Sequence, residues 1–297
     1  MKTPQLPFPK LSEALGIATE VWFKREDLHH YGSHKGRSIP LMINEYRKQG
    51  VTNFVVSSSG NAALAAAQAI DTYNKNKKGK PLTLKILVGK KITPEKLANL
   101  EGARNKEKKE IIIEQCERPK QMAFQIEKEG KATWLRQSTS DVAVLGYREL
   151  ADELNKIENL AAVFVPTSSG TTAQGLFDGF QGLQTNPQIH IVQTDICHPM
   201  VESPLLPTPY SLQPSLATAI VDNIALRKEK VLEAIKNSHG AGWIATNEKI
   251  KEAMKLVKEK TDIIISPNSA LSVVGLMQAI QAGWKWGGAV VCLITGR

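Results

Sequence analysis

The sequence of 297 residues predicts an α/β fold, and three observations carry the prediction. Short β-branched runs alternate with longer segments of helical spacing, which is the rhythm of a mostly parallel sheet covered by helices. Two strand-to-helix junctions are rich in serine, threonine and glycine, SSSGN at 57–61 and TSSGTT at 167–172. A chain of this length also commonly divides its core between two lobes, so two are expected.

The elements follow in order. Val21 to Lys24 is a strand, and a helix runs from about Lys35 to Gln49 with Gly50 as its stop. Asn53 to Ser57 is a buried strand, joined by a tight turn to an alanine-rich helix over Ala62 to Ile70. Leu84 to Val88 is a third strand. Thr93 to Glu101 and Pro119 to Glu129 carry helical spacing that ends before Gly102 and Gly130, and Val142 to Asn155 reads as one further helix. Then come the strand Ala161 to Val165, a helix from about Thr172 to Leu183, and the strand His190 to Thr194. Pro199 to Pro214 reads as an irregular surface segment. Asn247 to Glu259 is a helix, Ile263 to Ile265 a short strand, Ala270 to Ala282 a helix and Ala289 to Ile294 a last buried strand.

Composition narrows the function classes. No apolar stretch approaches the ~20 residues that span a bilayer, and MKTPQLPFPK lacks the apolar core of a secretory signal. A cytoplasmic location with no membrane partner is therefore expected. Cys116, Cys197 and Cys292 are odd in number, far apart and without CxxC spacing, which argues against a disulfide framework. The net charge of +9 comes largely from Asn74 to Lys80 and Arg104 to Lys109, stretches without interleaved aromatics. Solvated loops, not a nucleic-acid surface, are the expectation, with a field that favours anionic ligands.

Three constellations could carry chemistry. The turn Tyr31-Gly32-Ser33-His34-Lys35-Gly36-Arg37 precedes a helix, and a lysine can act as a nucleophile when burial and a nearby cation such as Arg37 favour its neutral form. Taken alone, Lys35 reads as an exposed lysine opening a helix. Ser57 to Asn61 presents free backbone N–H groups and hydroxyls to an anion, although a capping serine or asparagine explains the pattern equally. Pro166 to Gly175 could cradle a phosphate through amides and hydroxyls, yet it is neither GxGxxG nor a P-loop. His29, His30 and His34 include an i,i+4 pair, but Gly32 between them argues against a helix, and no metal site is expected. No GxSxG elbow anchors a hydrolase triad.

In this order, VWFKREDLHHYGSHKGRS, VVSSSGNAALAAAQAI, STSDVAVLGYRELADEL, AAVFVPTSSGTTAQGLFDGF, SPNSALSVVGL and VVCLITGR resemble the fold-type II pyridoxal-phosphate enzymes of the tryptophan synthase β superfamily, the threonine synthase branch above all. The resemblance implies two open, mostly parallel twisted sheets with helices on both faces. It implies a larger cofactor-binding domain of residues 1–47 plus 149–297 and a smaller mobile domain of 48–148, closing on substrate. Pyridoxal 5′-phosphate would be the cofactor, a small amino acid the substrate, and a homodimer the assembly.

Carried over by position, the resemblance makes Lys35 the Schiff-base lysine and the base that moves the substrate α-proton. Asn61 would bond the cofactor's 3′ oxygen, while Ser58, Ser59, Asn61 and Ser138 would bind substrate. Ser168, Ser169, Gly170, Thr171 and Thr172 would hold the cofactor phosphate, and Thr295 would face the ring nitrogen. A hydroxyl there does not favour a protonated ring, which directs chemistry toward elimination and replacement. The chain departs from the family pattern at Gly36 (usually aspartate), at its Ser/Thr-rich phosphate loop (usually glycine-rich), at Ser266 (usually glutamate) and at Ala143 (an arginine for the substrate phosphate). A threonine synthase-like lyase is the first expectation. A serine or threonine ammonia-lyase, which needs no substrate-phosphate site, is the second, and a non-catalytic binding protein of the same fold is the third.

Overall fold

The computed structural model describes residues 2–76, 79–103, 109–202 and 213–296. The chain divides into two compact units, Met1–His29 with Tyr147–Arg297, and His30–Gly146. The first begins with strand β1 (Gln5–Pro7), helix α1 (Pro9–Ala14), strand β2 (Val21–Arg25) and one 3-10 turn over Glu26–Leu28.

The second unit contains α2 (Lys35–Lys48), β3 (Asn53–Ser57), α3 (Asn61–Asn76), β4 (Thr83–Gly89), α4 (Pro94–Gly102), β5 (Ile111–Cys116), α5 (Pro119–Lys128), β6 (Thr133–Trp134) and α6 (Asp141–Leu145). Its four strands are parallel, in the order β5-β4-β3-β6. Because side chains alternate across a strand, Phe54, Val56, Leu84, Ile86 and Val88 join Ile39 and Met42 of α2 and the alanines of α3 in one core. Val55 and Leu87 face the other way, onto Ala123 of α5 and Trp134. Alanine lets α3 lie close on the sheet without rotamer cost, which is why this helix is so poor in large side chains.

The chain then returns to the first unit with α7 (Arg148–Leu154), β7 (Leu160–Pro166), α8 (Thr171–Phe180), β8 (Gln188–Thr194), α9 (Lys228–Asn237), β9 (Gly242–Ala245), α10 (Asn247–Thr261), α11 (Pro267–Gln281) and β10 (Ala289–Ile294). Six strands order as β1-β2-β10-β7-β8-β9, parallel except for β1. Strand β7 is apolar along its length because both faces are covered: Ala162 and Phe164 pack in a core with α10 and α11, Val163 and Val165 in another with α7, α8 and α9.

Several expectations are corrected. The helix expected over 142–155 is two, α6 and α7, and the chain passes from one unit to the other between Gly146 and Tyr147. Ile263 to Ile265 is not a strand but a connector that follows Asp262 at φ 59, with Ile264 75% exposed. Strands β1, β5, β6 and β9 and helix α9 were not expected. The boundary anticipated at 47/48 falls instead at 29/30, because α2 packs on α3 and α6 and so belongs to their unit. Of the proline-rich stretch, 203–212 lie outside the described residues, as do 77–78 and 104–108 of the basic stretches. No helix among the described residues is long and apolar enough to cross a membrane.

One buried group in the first unit gives a pH-dependent prediction. His190 is fully buried and stacked on Phe164 at 4.4 Å, with Trp284 and Trp286 edge-on to it. Its Nδ1 accepts from Ala241 N–H and Trp243 Nε1, each at 3.2 Å, so the ring is neutral and its Nε2–H donates to Gln188 Oε1. Burial pushes its pKa from 6.5 down to about 3. The unfolded chain therefore binds a proton that the folded one refuses, and the stability conferred is complete above pH 6.5 and falls as pH drops toward 3. The loss approaches ~1.4 kcal/mol per pH unit within that window. Urea unfolding followed by tryptophan fluorescence should show a smaller drop between pH 7 and pH 5 in His190→Gln than in the parent; equal drops would refute the assignment.

Candidate active site

In the second unit, Lys35 is the first residue of α2. Its backbone N–H donates to Ser33 Oγ at 3.3 Å and its carbonyl accepts from Ser38 Oγ at 3.5 Å. Its amine makes no hydrogen bond or ion pair among the described residues, and the side chain is partly exposed. Strand β3 ends at Ser57 and α3 begins at Asn61. Ser58 Oγ accepts the Gly60 N–H at 3.2 Å and keeps its proton for another acceptor, while Ser59 and Asn61 make no side-chain hydrogen bond among the described residues.

Strands β3 and β6 are adjacent and parallel, with Val55 opposite Trp134 and Leu135 N–H donating to Val55 O at 2.9 Å. The loops after their carboxyl ends, 57–61 and 135–140, therefore emerge side by side, where ligands bind in open parallel sheets. Gln137 Nε2 donates to Ser38 Oγ and ties the second loop to the first turn of α2. Gly146 lets α6 approach that same turn, since a Cβ there would lie 2.5 Å from Arg37 O and 2.7 Å from Ser38 Cα. Lys35, Ser58, Ser59, Asn61 and Ser138 thus stand on three segments that one unit brings together.

In the first unit, β7 runs into the 167–170 loop and then α8. Gly170 adopts φ 85 and a Cβ on it would meet Val231 at 2.5 Å, so glycine is required twice over. It is the N-cap residue and supplies no side-chain cap, leaving the first amides of α8 to an anion. Ser169 and Thr171 share a hydroxyl hydrogen bond of 2.9 Å. Thr295 follows β10, is 5% exposed, and lies 3.5 Å from Ser269 Oγ. Ser266, at the position where the family usually has glutamate, caps α11 and donates to Gly296 O at 2.7 Å, fixing the turn that carries Thr295.

One side chain differs from expectation. The Ser168 hydroxyl donates to Asp222 Oδ2 at 3.0 Å and accepts from Val221 and Asp222 N–H, so only its main chain can serve a phosphate. Ala143, at the position where the family has an arginine, is fully buried in the apolar core of the second unit. Gln193, which the sequence reading overlooked, is fully buried on β8; its Nε2 donates to Thr167 O at 3.3 Å and its Oε1 accepts from Met200 N–H at 2.9 Å. It holds the loop from beneath, and nothing in its strand, which also carries Gln188, His190 and Thr194, marked it out. No group of three or more His, Cys, Asp or Glu that could hold a metal occurs among the described residues.

In the second unit an unengaged amine beside free amide and hydroxyl donors suits a carbonyl ligand, and in the first unit an uncapped helix N-terminus suits a phosphate. Residues 1–296 match the family model described as pyridoxal-phosphate dependent enzyme. Over 313 aligned residues the chain is 28% identical to threonine synthase of Methanocaldococcus jannaschii, covering 99% of this chain and 74% of that one. Threonine synthase of Mycobacterium leprae is likewise 28% identical, with 99% and 81% covered. Among solved structures, a pyridoxal 5′-phosphate-dependent aspartate racemase superposes with a TM-score of 0.82 at 20% identity, covering 100% of this chain and 90% of the other. Threonine deaminase isoform 2 of Solanum lycopersicum does so with 0.79 at 19%, covering 100% and 79%. At those identities the superpositions establish the fold, two mostly parallel sheets with helices on both faces. The match along nearly the whole chain shows that this protein belongs to the pyridoxal-phosphate-dependent enzyme family and takes pyridoxal 5′-phosphate as its cofactor.

Proposed function

We propose that the protein is a threonine synthase-like lyase, converting O-phosphohomoserine and water to threonine and inorganic phosphate. The observation that carries the reading is the likeness to threonine synthases along 99% of the chain. The second unit supports it with an unengaged lysine amine beside a loop of free donors. When bound, pyridoxal phosphate withdraws electrons from the substrate Cα, which makes its proton removable.

The chain's own residues do the rest. The Lys35 amine would hold the cofactor, and as a free amine it would move protons at the substrate carbons. Ser58 and Ser59 orient the substrate carboxylate through hydroxyl and backbone donors, and Asn61 binds the cofactor's ring oxygen. The amides of 168–172 with the hydroxyls of Ser169, Thr171 and Thr172 hold the cofactor phosphate. Thr295 would face the ring nitrogen with a hydroxyl, which does not favour a protonated ring and so would direct the chemistry toward loss of a leaving group from the substrate side chain.

The second reading, a serine or threonine ammonia-lyase, is favoured by one observation, the burial of Ala143 where a phosphate-binding arginine is expected. The cofactor-loaded protein is to be given each substrate in turn. Phosphate release with threonine formation from O-phosphohomoserine is the expected result; 2-oxobutyrate from threonine, with no phosphate release, would replace the first reading by the second.

A further inference from the structure

Loss of an arginine at 143 raises the question of which group answers an anion on the substrate side chain. The turn after β6 holds one candidate. Arg136 is partly exposed, its guanidinium lies 4.7 Å from the centre of the Trp134 ring, and its Nε donates to Ser138 Oγ at 3.1 Å. Trp134 is itself only 8% exposed, so the surface under the guanidinium is fixed. The two terminal nitrogens make no hydrogen bond or ion pair among the described residues. A cation stacked on an indole and pinned through Nε has been ordered before any ligand arrives, and what it still presents is the pair of donors that suits an oxyanion. The cation stands two residues from Ser138. Gln137, between them, is bonded to Ser38 in the first turn of the Lys35 helix.

We infer that Arg136 is the specificity-determining residue for the distal end of the substrate, recognising an oxyanion there, and that it takes the part Ala143 cannot. The inference rests on the proposed amino-acid chemistry at Lys35 and adds a charged group to the substrate. Ser138 serves as a positioning residue, accepting from Nε and keeping its own proton to donate to the same anion. A phosphate ester and a side-chain carboxylate are the two sources of that charge.

The experiment uses the cofactor-loaded enzyme, in which the cofactor's own phosphate fills the α8 site, so that added anions report on a second place. Calorimetric titration with inorganic phosphate is run on the parent, Arg136→Leu and Arg136→Lys, alongside steady-state kinetics with O-phosphohomoserine and with threonine, whose side chain carries no charge. The leucine variant is expected to weaken phosphate binding roughly 10- to 100-fold and to raise KM for the phosphorylated substrate by a similar factor, with kcat for that substrate little changed. Lysine should restore part of the loss, because it keeps the charge and loses the planar fork. Inhibition by aspartate that depends on Arg136, without inhibition by phosphate, supports the site and names a carboxylate as its ligand. Unchanged affinity for both anions in Arg136→Leu overturns the inference even if O-phosphohomoserine is the substrate. Arg136-dependent phosphate binding in an enzyme that turns over only threonine supports it while ending the threonine synthase reading.

Discussion

Lys35→Ala is expected to abolish turnover and to remove the visible absorption band of the cofactor-loaded protein. One side chain is asked to do two things, hold the cofactor as an imine and move protons, and alanine can do neither. The proton-transfer part alone is worth on the order of 10²- to 10⁴-fold, and the covalent part adds to it. Burial does not confound the experiment, because the side chain is partly exposed and its amine supports nothing else among the described residues. The variant should therefore fold, which circular dichroism and the urea midpoint will check. Borohydride reduction of the parent, followed by peptide mass spectrometry, should leave the cofactor mass on the peptide containing Lys35; its recovery on any other lysine would remove Lys35 from the chemistry.

The role of Lys35 is legible in the sequence because its signals are local. The lysine, the SSSGN turn and the TSSGTT loop are contiguous strings at strand-to-helix junctions, where local rules of backbone geometry and free amides operate within a few residues. Their neighbours are not local. Whether a serine in such a loop is free depends on which distant segment passes it, and the hydroxyl of Ser168 is engaged by Asp222, 54 positions on. Gln193 supports Thr167 from an adjacent strand, a relation fixed by sheet order alone. Arg136 resembled any other charged residue until Trp134 was seen beneath it.

The same contrast runs through the fold. Strands covered on both faces, such as β3 and β10, are continuous apolar runs, and the sequence places them at Asn53 to Ser57 and Ala289 to Ile294 as the structure does. Strands at sheet edges carry a mixed pattern. β5 buries Ile111 and leaves Ile112 50% exposed, and β9 begins at a glycine, so neither announces itself. In the other direction, Ile263 to Ile265 has the composition of a strand but no neighbour to pair with. Propensity proposed a strand there and tertiary context declined it.

Long-range pairing also sets the largest expected effect on stability. Lys24 is fully buried on β2, and its ammonium donates to Glu153 of α7, to Thr3 O at 2.9 Å and to Gln5 Oε1 at 3.1 Å. Glu153, 4% exposed, also accepts the Thr3 N–H at 3.2 Å, while its carbonyl accepts from Gln5 Nε2 at 3.0 Å. The pair thereby joins α7 to β1, the strand that runs against the other described strands of its sheet. Glu153→Ala would remove the carboxylate that faces a fully buried ammonium, and the expected loss of unfolding free energy is about 3–5 kcal/mol. The charge, not the packing, is the cause, because replacing both partners with apolar groups of similar volume removes the desolvation cost along with the attraction. Lys24→Met combined with Glu153→Leu should consequently recover most of the stability lost by Glu153→Ala, as read from urea midpoints at constant slope. If the double variant is no more stable than Glu153→Ala, the ion pair is not what sets the cost, and the hydrogen bonds of Thr3 and Gln5 to this corner must carry it instead.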